Sequence, residues 1–274
     1  MKTAYVLAGG GAKGSYQVGV MQFLHEQGIL PDVLYGTSVG ALNAAGYAYG
    51  GIKLLRQTWD SIKSPRDVMR FNWSFLWCNG MYNTKPLQQK IDEIVTGNSK
   101  IEAVVTRVNM CDGNVAYVSS KENSNPVFAQ AVLASASLPA IMEPVGDWID
   151  GSVREVTPVN KAIDDGADRI IVIMTNPIEG SFGKFKKPSG FLSALKIGYR
   201  ALDIMQTEVM LNDIRGAQRV NKMIQKGRML EKKLVEVEIY APSKLVLQTL
   251  DFNKDLIKLG IKQGYEETKL KWGK

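Results

Sequence analysis

A short apolar segment runs directly into a glycine-flanked serine in the stretch Asp32-Val33-Leu34-Tyr35-Gly36-Thr37-Ser38-Val39-Gly40. Residues 36–40 match the G-x-S-x-G pattern of serine nucleophiles, and the alanine-rich residues 39–49 are typical of a tightly packed helix. A sharp turn between strand and helix lifts the serine to the sheet edge, and the glycines let the backbone turn without a Cβ clash. The stretch therefore predicts a strand, a nucleophile turn at Ser38 and a helix.

The segments around this stretch alternate between strand and helix patterns. Residues 3–8 predict a buried strand, residues 9–14 a glycine loop and residues 16–28 a helix, which gives β-loop-α-β-turn-α. We therefore expect an α/β fold of three layers (α/β/α) with a mainly parallel central sheet. Further along, the patterns predict a hairpin at 103–110 and 114–118, helices at 126–136, 191–215 and 253–271, strands at 168–175 and 234–240, and a loop at 178–190.

Length and composition favour one domain over two. The chain has 274 residues, of which 45% are hydrophobic, enough for one sizeable core. We expect a single domain over residues 1–274, with the motifs in about 3–175 and an extension of helices and a strand over about 180–274. Cys78 and Cys111 suit neither a metal cluster nor a disulfide framework, and we see no secretory signal or bilayer-spanning run. These observations predict a cytoplasmic protein.

A serine nucleophile needs a base to accept its proton, and the chain has one histidine. His25 lies roughly 15 Å along the predicted helix from its start, at the end opposite to where α/β folds place their functional residues. The base is therefore a carboxylate or a lysine. Asp150 ends the apolar stretch 145–150, whereas Asp112 and Asp165 are explained by a hairpin turn and a helix end. Lys13 is the rival, but it would have to be desolvated to lose its proton.

The glycine loop at residues 9–14 (Gly-Gly-Gly-Ala-Lys-Gly) has three interpretations. It matches G-x-G-x-x-G, but a dinucleotide site also needs an acidic residue at the end of the second strand, where Thr37 and Ser38 stand instead. Its backbone N–H groups could form an oxyanion hole at the start of a helix. It could also be a structural tight turn.

The charge balance is basic, with a net charge of +7. Such a balance favours nucleic acid or an anionic membrane as partner, and the sequence has neither zinc-finger spacing nor an RNP-type motif, so we expect no nucleic acid. The aromatic residues 71–82 are either core or a membrane contact, and the basic residues 183–187 are either a membrane contact or a solvated loop.

Taken in order, these motifs resemble the patatin-like phospholipase family of serine lipid acyl hydrolases, which use a Ser-Asp dyad. The resemblance covers about residues 3–175. It is carried by the loop at 9–14, the turn at 36–40, the small-residue and proline block at 134–140, the pair Asp150-Gly151, and the residues at 157–159 and 166–170. Ser152 departs from the pattern, because the family usually has glycine or alanine there.

The resemblance implies that Ser38 is the nucleophile and Asp150 the proton acceptor. It implies that the N–H groups of Gly9, Gly10 and Gly11, with Val39, form the oxyanion hole. Lys13, Gly14, Gly36, Gly40 and Gly151 would support these motifs. The expected substrate is a phospholipid or another acyl-ester lipid, with peripheral contact to an anionic membrane, and no metal or cofactor is implied. The alternatives are a non-catalytic lipid-binding protein and an acyltransferase on the same fold.

Overall fold

The computed structural model of the chain describes residues 1–73, 79–178, 189–190, 193–225 and 234–273. Its strands are β1 (Thr3–Leu7), β2 (Val33–Thr37), β3 (Arg70–Phe71), β4 (Gly80–Asn83), β5 (Glu102–Asn109), β6 (Val115–Ser119), β7 (Ala140–Met142), β8 (Trp148–Asp150), β9 (Arg169–Ile173) and β10 (Glu236–Tyr240). Its helices are α1 (Ser15–Glu26), α2 (Val39–Ser61), α3 (Lys85–Ile94), α4 (Asn125–Ser135), α5 (Val159–Asp164), α6 (Ser193–Gln225) and α7 (Lys254–Trp272). Most of the predicted loop at 178–190, including the basic residues 183–187, lies outside the described residues.

The central sheet is mainly parallel, as predicted. Its order is β10-β9-β1-β2-β5-β6, and the pairs from β10 to β5 are all parallel. Strands β6 and β8 both pair antiparallel with β5. A smaller sheet has the order β3-β4-β7. Strand β1 therefore lies between β2, which follows it in the chain, and β9, which comes much later. The strand order changes direction at this point, and in α/β folds ligands bind at such a switch point.

Helices cover both faces of this sheet because the strands are apolar on both faces. In β1, Tyr5 and Leu7 join the cluster packed with α1, α2, α3, α4 and α7, whereas Ala4 and Val6 join the cluster packed with α5 and α6. Successive strand residues point to opposite faces, so a continuous apolar run serves two cores. The expected three-layer α/β/α arrangement is confirmed.

Helix α2 is longer than the sequence predicted. It runs past Tyr49 to Ser61, although Gly51 departs from helical geometry with φ 69°. Leu55 and Trp59, four residues apart, are both buried and continue the apolar stripe after that break. The glycine pair at 50–51 therefore kinks the helical segment instead of ending it.

The predicted position of His25 is confirmed. His25 is exposed near the end of α1, and its Nδ1 lies 2.8 Å from the hydroxyl of Tyr47. It is therefore remote from the turn at Ser38, which precedes α2. In the ranges that the structure describes, no helix is both long and apolar enough to cross a membrane.

Helix α7 packs closely against α1 because both helices have glycine at the contact. A Cβ on Gly19 would lie 2.0 Å from the carbonyl oxygen of Ile261, and a Cβ on Gly264 would lie 2.1 Å from that of Tyr16. Phe23 and Tyr265 add an edge-to-face ring contact with centroids 5.5 Å apart. Helix α7 thus packs on the N-terminal half of the chain, and the single domain over residues 1–274 stays a prediction.

We expect Gly19→Ala to destabilise the whole chain by about 1–3 kcal/mol, because the new methyl group overpacks the contact between α1 and α7. Gly216→Ala, in α6, is the matched control, since a Cβ there meets no atom of the described residues within 4 Å. Alanine is also the better helix former, so the control should be neutral or stabilising by up to about 1 kcal/mol. Urea unfolding measures both. Equal effects of the two substitutions would contradict the close packing of α7 on the N-terminal half.

Candidate active site

Ser38 occupies a strained turn between β2 and α2. Its backbone has φ 56° and ψ −125°, a conformation that residues with a side chain rarely adopt. Glycine is required on both sides, because a Cβ on Gly36 would lie 2.3 Å from the carbonyl oxygen of Gly40, and a Cβ on Gly40 would lie 2.0 Å from that of Leu7. The turn therefore presses the start of α2 onto the ends of β1 and β2, with the half-buried Ser38 at its tip.

The block at residues 134–140 connects the two predicted members of the dyad. The backbone N–H of Ser38 donates to Oγ of Ser135 at 2.9 Å. The backbone N–H of Asp150 donates to the carbonyl oxygen of Ser137 at 3.0 Å. Ser135 and Ser137 are fully buried. In the sequence, this block stands out only by its small residues and its proline. In the structure, Ser135 fixes the backbone of Ser38 and Ser137 fixes the backbone of Asp150.

Asp150 lies at the end of β8, more than a hundred residues after Ser38 in the sequence. Strand β8 runs antiparallel to β5, and Gly151 follows so closely that a Cβ on it would lie 2.5 Å from the carbonyl oxygen of Thr106. Oδ1 of Asp150 accepts a hydrogen bond from the N–H of Ser152 at 2.8 Å. Oδ2 is buried and has no partner among the described residues. One carboxylate oxygen is thus fixed and the other is available.

Burial raises the pKa of Asp150 to about 6. The Ser152 side chain and backbone N–H and the Ser38 side chain lower this pKa, but less than burial raises it. Ser38 therefore lies close to the carboxyl group, although the unpartnered Oδ2 means that no hydrogen bond of ordinary geometry yet joins them. A carboxyl group with this pKa is ionised at neutral pH and is a stronger base than an exposed aspartate.

The glycine loop between β1 and α1 offers free N–H groups beside Ser38. No described residue accepts a hydrogen bond from the backbone N–H of Gly10, Gly11 or Val39. The prediction for Gly9 needs correction, because its N–H donates to the carbonyl oxygen of Val156 at 3.1 Å. Gly9 is instead a packing residue, since a Cβ on it would lie 3.2 Å from Cβ of Ser38. The candidate oxyanion donors are therefore Gly10, Gly11 and Val39.

Lys13 anchors this loop and does not contact the predicted nucleophile. Its buried Nζ donates to Oδ1 of Asn176 at 2.7 Å and to Oδ1 of Asp203 at 3.0 Å. Burial lowers the pKa of Lys13, and the carboxylate of Asp203 opposes that shift. Because Nζ is held by these two partners, Lys13 is better placed to hold the loop than to take a proton from Ser38.

Two further contacts fix the same loop. The N–H of Ala12 donates to the carbonyl oxygen of Thr249 at 2.8 Å. Gly14 lies against Val39, so that a Cβ on it would be 2.4 Å from Cγ2 of that valine. Sequence reasoning missed Asp203 and Thr249, because no local pattern links residues so far along the chain to the loop at 9–14.

The candidate residues line one end of an apolar cavity. Gly10, Gly11, Ser38 and Asp150 border about 930 Å³ of non-atom space, part of which is open to solvent. The walls beyond them are mainly aliphatic and aromatic, including Leu42, Leu55, Trp59, Ile62, Leu87, Ile91, Leu138, Met142 and Phe252. In the described part of the chain, no group of three or more His, Cys, Asp or Glu is placed to hold a metal ion. The predicted dyad and two of the candidate oxyanion donors thus border a mainly apolar space.

Comparison with known proteins gives matches to one family. Residues 5–163 match the family model of patatin-like phospholipases. Lysophospholipase nte1 of Aspergillus terreus is 28% identical over 186 residues, covering 64% of this chain and 12% of the relative. Patatin-like phospholipase domain-containing protein 7 of Rattus norvegicus is 26% identical over 62% of this chain and 13% of its own length.

One relative matches almost the whole chain. Patatin-like phospholipase domain-containing protein ZK370.4 of Caenorhabditis elegans is 26% identical over 95% of this chain and 20% of its own length. The chain thus spans between about an eighth and a fifth of these three relatives. Among solved structures, VipD from Legionella pneumophila aligns with a TM-score of 0.47 and 12% identity, over 98% of this chain and 66% of that chain.

We expect Asp150→Asn to raise the free energy of unfolding at pH 8 by about 1–3 kcal/mol, because it removes a buried charge. The folded pKa of Asp150 is about 6, above its ordinary value of 3.8. The wild-type chain therefore gains stability relative to the variant as the pH falls from about 7 to about 4, where its carboxyl group becomes neutral. Chemical denaturation of both proteins across this range measures the difference. A difference that does not change with pH would contradict the burial of an ionised carboxylate.

Proposed function

This chain belongs to the patatin-like phospholipase family, and from that premise we propose that it is a lipid acyl hydrolase that works through an acyl-serine intermediate. The observation that carries the proposal is that Ser38, Asp150, Gly10 and Gly11 line one apolar cavity, and that no described residue accepts a hydrogen bond from the N–H groups of the two glycines. The proposed substrate is a phospholipid or another acyl-ester lipid, which accords with the names of the lysophospholipase and phospholipase relatives.

In the first half of the proposed reaction, the Ser38 hydroxyl attacks the ester carbonyl carbon while its proton moves to Asp150. The carbonyl oxygen becomes an oxyanion, and the N–H groups of Gly10 and Gly11, with Val39 at the start of α2, donate to it. One such donor is worth about 3 kcal/mol of transition-state stabilisation. The ester bond then breaks, the departing alcohol takes the proton from Asp150, and the acyl group remains on Ser38.

In the second half, water replaces the alcohol. Asp150 takes a proton from the water as its oxygen attacks the acyl carbon, and the same N–H groups stabilise the new oxyanion. The bond to Ser38 breaks, the serine oxygen recovers the proton from Asp150, and the fatty acid leaves. The raised pKa of about 6 suits Asp150 to both tasks, because the carboxylate is ionised at neutral pH yet accepts a proton more readily than an exposed aspartate.

Asp150 also favours catalysis over lipid binding alone. Oδ2 of Asp150 is buried and has no partner among the described residues, which costs stability, and a protein that only bound lipid would have no use for such a group. An acyltransferase would use the same acyl-serine with an alcohol in place of water, so product analysis with and without an added alcohol acceptor distinguishes the two.

We expect Ser38→Ala to reduce ester hydrolysis by at least about 10³-fold and to abolish labelling by a fluorophosphonate, because both reactions need the serine oxygen. The assay is product analysis on mixed phospholipids and neutral glycerides. Ser124→Ala is the matched control, since Ser124 is exposed and its side chain does not cap α4. Hydrolysis or labelling that persists in the Ser38 variant would overturn the proposal.

We further infer that an exposed aromatic pair helps the protein to approach lipid. The side chain of Trp73 is 89% exposed and that of Phe71 is 38% exposed, with ring centroids 5.2 Å apart in an edge-to-face arrangement. Arg70 and Lys85 border the same surface depression. Tryptophan beside basic side chains suits an anionic membrane surface. Residues 74–78 of the predicted aromatic segment 71–82 lie outside the described part of the chain.

Trp73→Ala should weaken binding to vesicles of phosphatidylcholine and phosphatidylserine by roughly threefold or more, because it removes apolar area from the interface. Leu30→Ala is a suitable control, since Leu30 is also exposed but precedes β2, at the sheet edge opposite Ser38. Co-sedimentation measures both variants at low and moderate salt. Unchanged binding of the Trp73 variant would exclude this surface as the lipid contact.

A further inference from the structure

We propose that Gln206 on α6 is a positioning residue that acts through Ser152 to fix the Asp150 carboxyl group for its reaction with Ser38. The inference rests on the proposed hydrolase function. It assigns a part in the reaction to α6, which lies outside residues 5–163 that match the family.

Two hydrogen bonds connect Gln206 to the carboxyl group. Nε2 of Gln206 donates to Oγ of Ser152 at 2.7 Å, and the backbone N–H of Ser152 donates to Oδ1 of Asp150 at 2.8 Å. Ser152 is 3% exposed, so water does not compete for these contacts. Because Gln206 uses a lone pair of the Ser152 oxygen, it restricts the directions in which the hydroxyl hydrogen can point. The chain of contacts holds Oδ1 and leaves Oδ2 free to accept a proton.

The position of Gln206 is itself fixed from both sides along α6. Asp203, one turn earlier, pairs with Lys13 of the glycine loop, and Asp213, two turns later, accepts hydrogen bonds from Thr157. Gln206 lies between these anchors and lines the same cavity as Ser38 and Asp150. A single helix thus contacts the oxyanion loop and the loop that carries the base.

The Ser152 hydroxyl also affects the charge state of Asp150. It lies beside the carboxyl group and lowers its pKa, against the effect of burial. The charged side chains on the elements around Asp150 are not among the groups that shift its pKa, and α4 has no charged side chain.

Each of these charged side chains has a partner of its own. The pairs are Arg107 over Trp148, Lys13 and Arg200 with Asp203, Arg154 with the carbonyl of Gly113, Glu155 with Tyr117, and Asp213 with Thr157.

The test is the pH dependence of the rate at which a fluorophosphonate labels Ser38. Ser152→Ala keeps the backbone N–H but removes the hydroxyl that lowers the pKa of Asp150, so the acidic limb should move to higher pH by about one unit. Gln206→Ala should move it in the same direction by less, because the hydroxyl remains but is no longer oriented. The double variant should match Ser152→Ala alone, since Gln206 acts through that hydroxyl.

Met205→Ala is the matched control on α6, because its side chain is 61% exposed, and its profile should equal that of the wild type. An unmoved acidic limb in Ser152→Ala, or an effect of Gln206→Ala that adds in full in the double variant, would overturn the inference. If Ser152→Ala does not fold, Gln206→Ala decides alone, since a shift supports the inference and no shift overturns it. Labelling that persists in Ser38→Ala would instead refute the proposed function, so the two failures are distinguishable.

Discussion

The close approach of the start of α2 to the ends of β1 and β2 is the constraint on which the site depends. Gly36 and Gly40 permit it, because a side chain at either position would overlap backbone atoms. The contact leaves Ser38 with a positive φ, a strain that costs about 1–3 kcal/mol and persists only where the surroundings enforce it. The hydrogen bond from Ser38 to Ser135 is part of that enforcement. The same turn places Ser38 and Val39 in the lining of one cavity.

The second constraint is a buried carboxylate whose pKa is lowered by no cation among the described residues. Asp150 is 1% exposed, and the polar groups around it are serine hydroxyls and a backbone N–H. In the hydrolases that use histidine, an imidazole separates the serine from the acid. In the proposed mechanism the acid acts on the serine directly, so the environment of the carboxyl group must itself raise its pKa. Burial raises this pKa at a cost in stability, and the proposed hydrogen-bond chain from Gln206 through Ser152 limits the size of the rise.

The sequence predicted the elements whose signal is local. The apolar runs at 3–8 and 168–175 predicted buried parallel strands because their residues serve both faces of a sheet. By contrast, the length of α2 was underestimated, because the glycines at 50–51 resemble a helix end until Leu55 and Trp59 are seen to pack.

In the candidate site, the strand-to-helix context predicted Ser38 as the nucleophile, whereas the family resemblance was the main basis for predicting Asp150 as the proton acceptor. Gly9 was wrongly assigned as a donor, since its partner Val156 lies far along the chain. Asp203, Gln206 and Thr249 left no local pattern, because only the tertiary fold joins α6 and the segment before α7 to the loop at 9–14.

The most direct test is a crystal structure of the protein after reaction with a fluorophosphonate, whose adduct imitates the tetrahedral intermediate. The account predicts phosphorus bonded to Oγ of Ser38, with one phosphonyl oxygen about 2.7–3.1 Å from the backbone nitrogens of Gly10 and Gly11. It also predicts that the N–H of Gly9 still donates to Val156. Phosphorus on another residue, or an oxygen that points away from the glycine loop, would contradict the account.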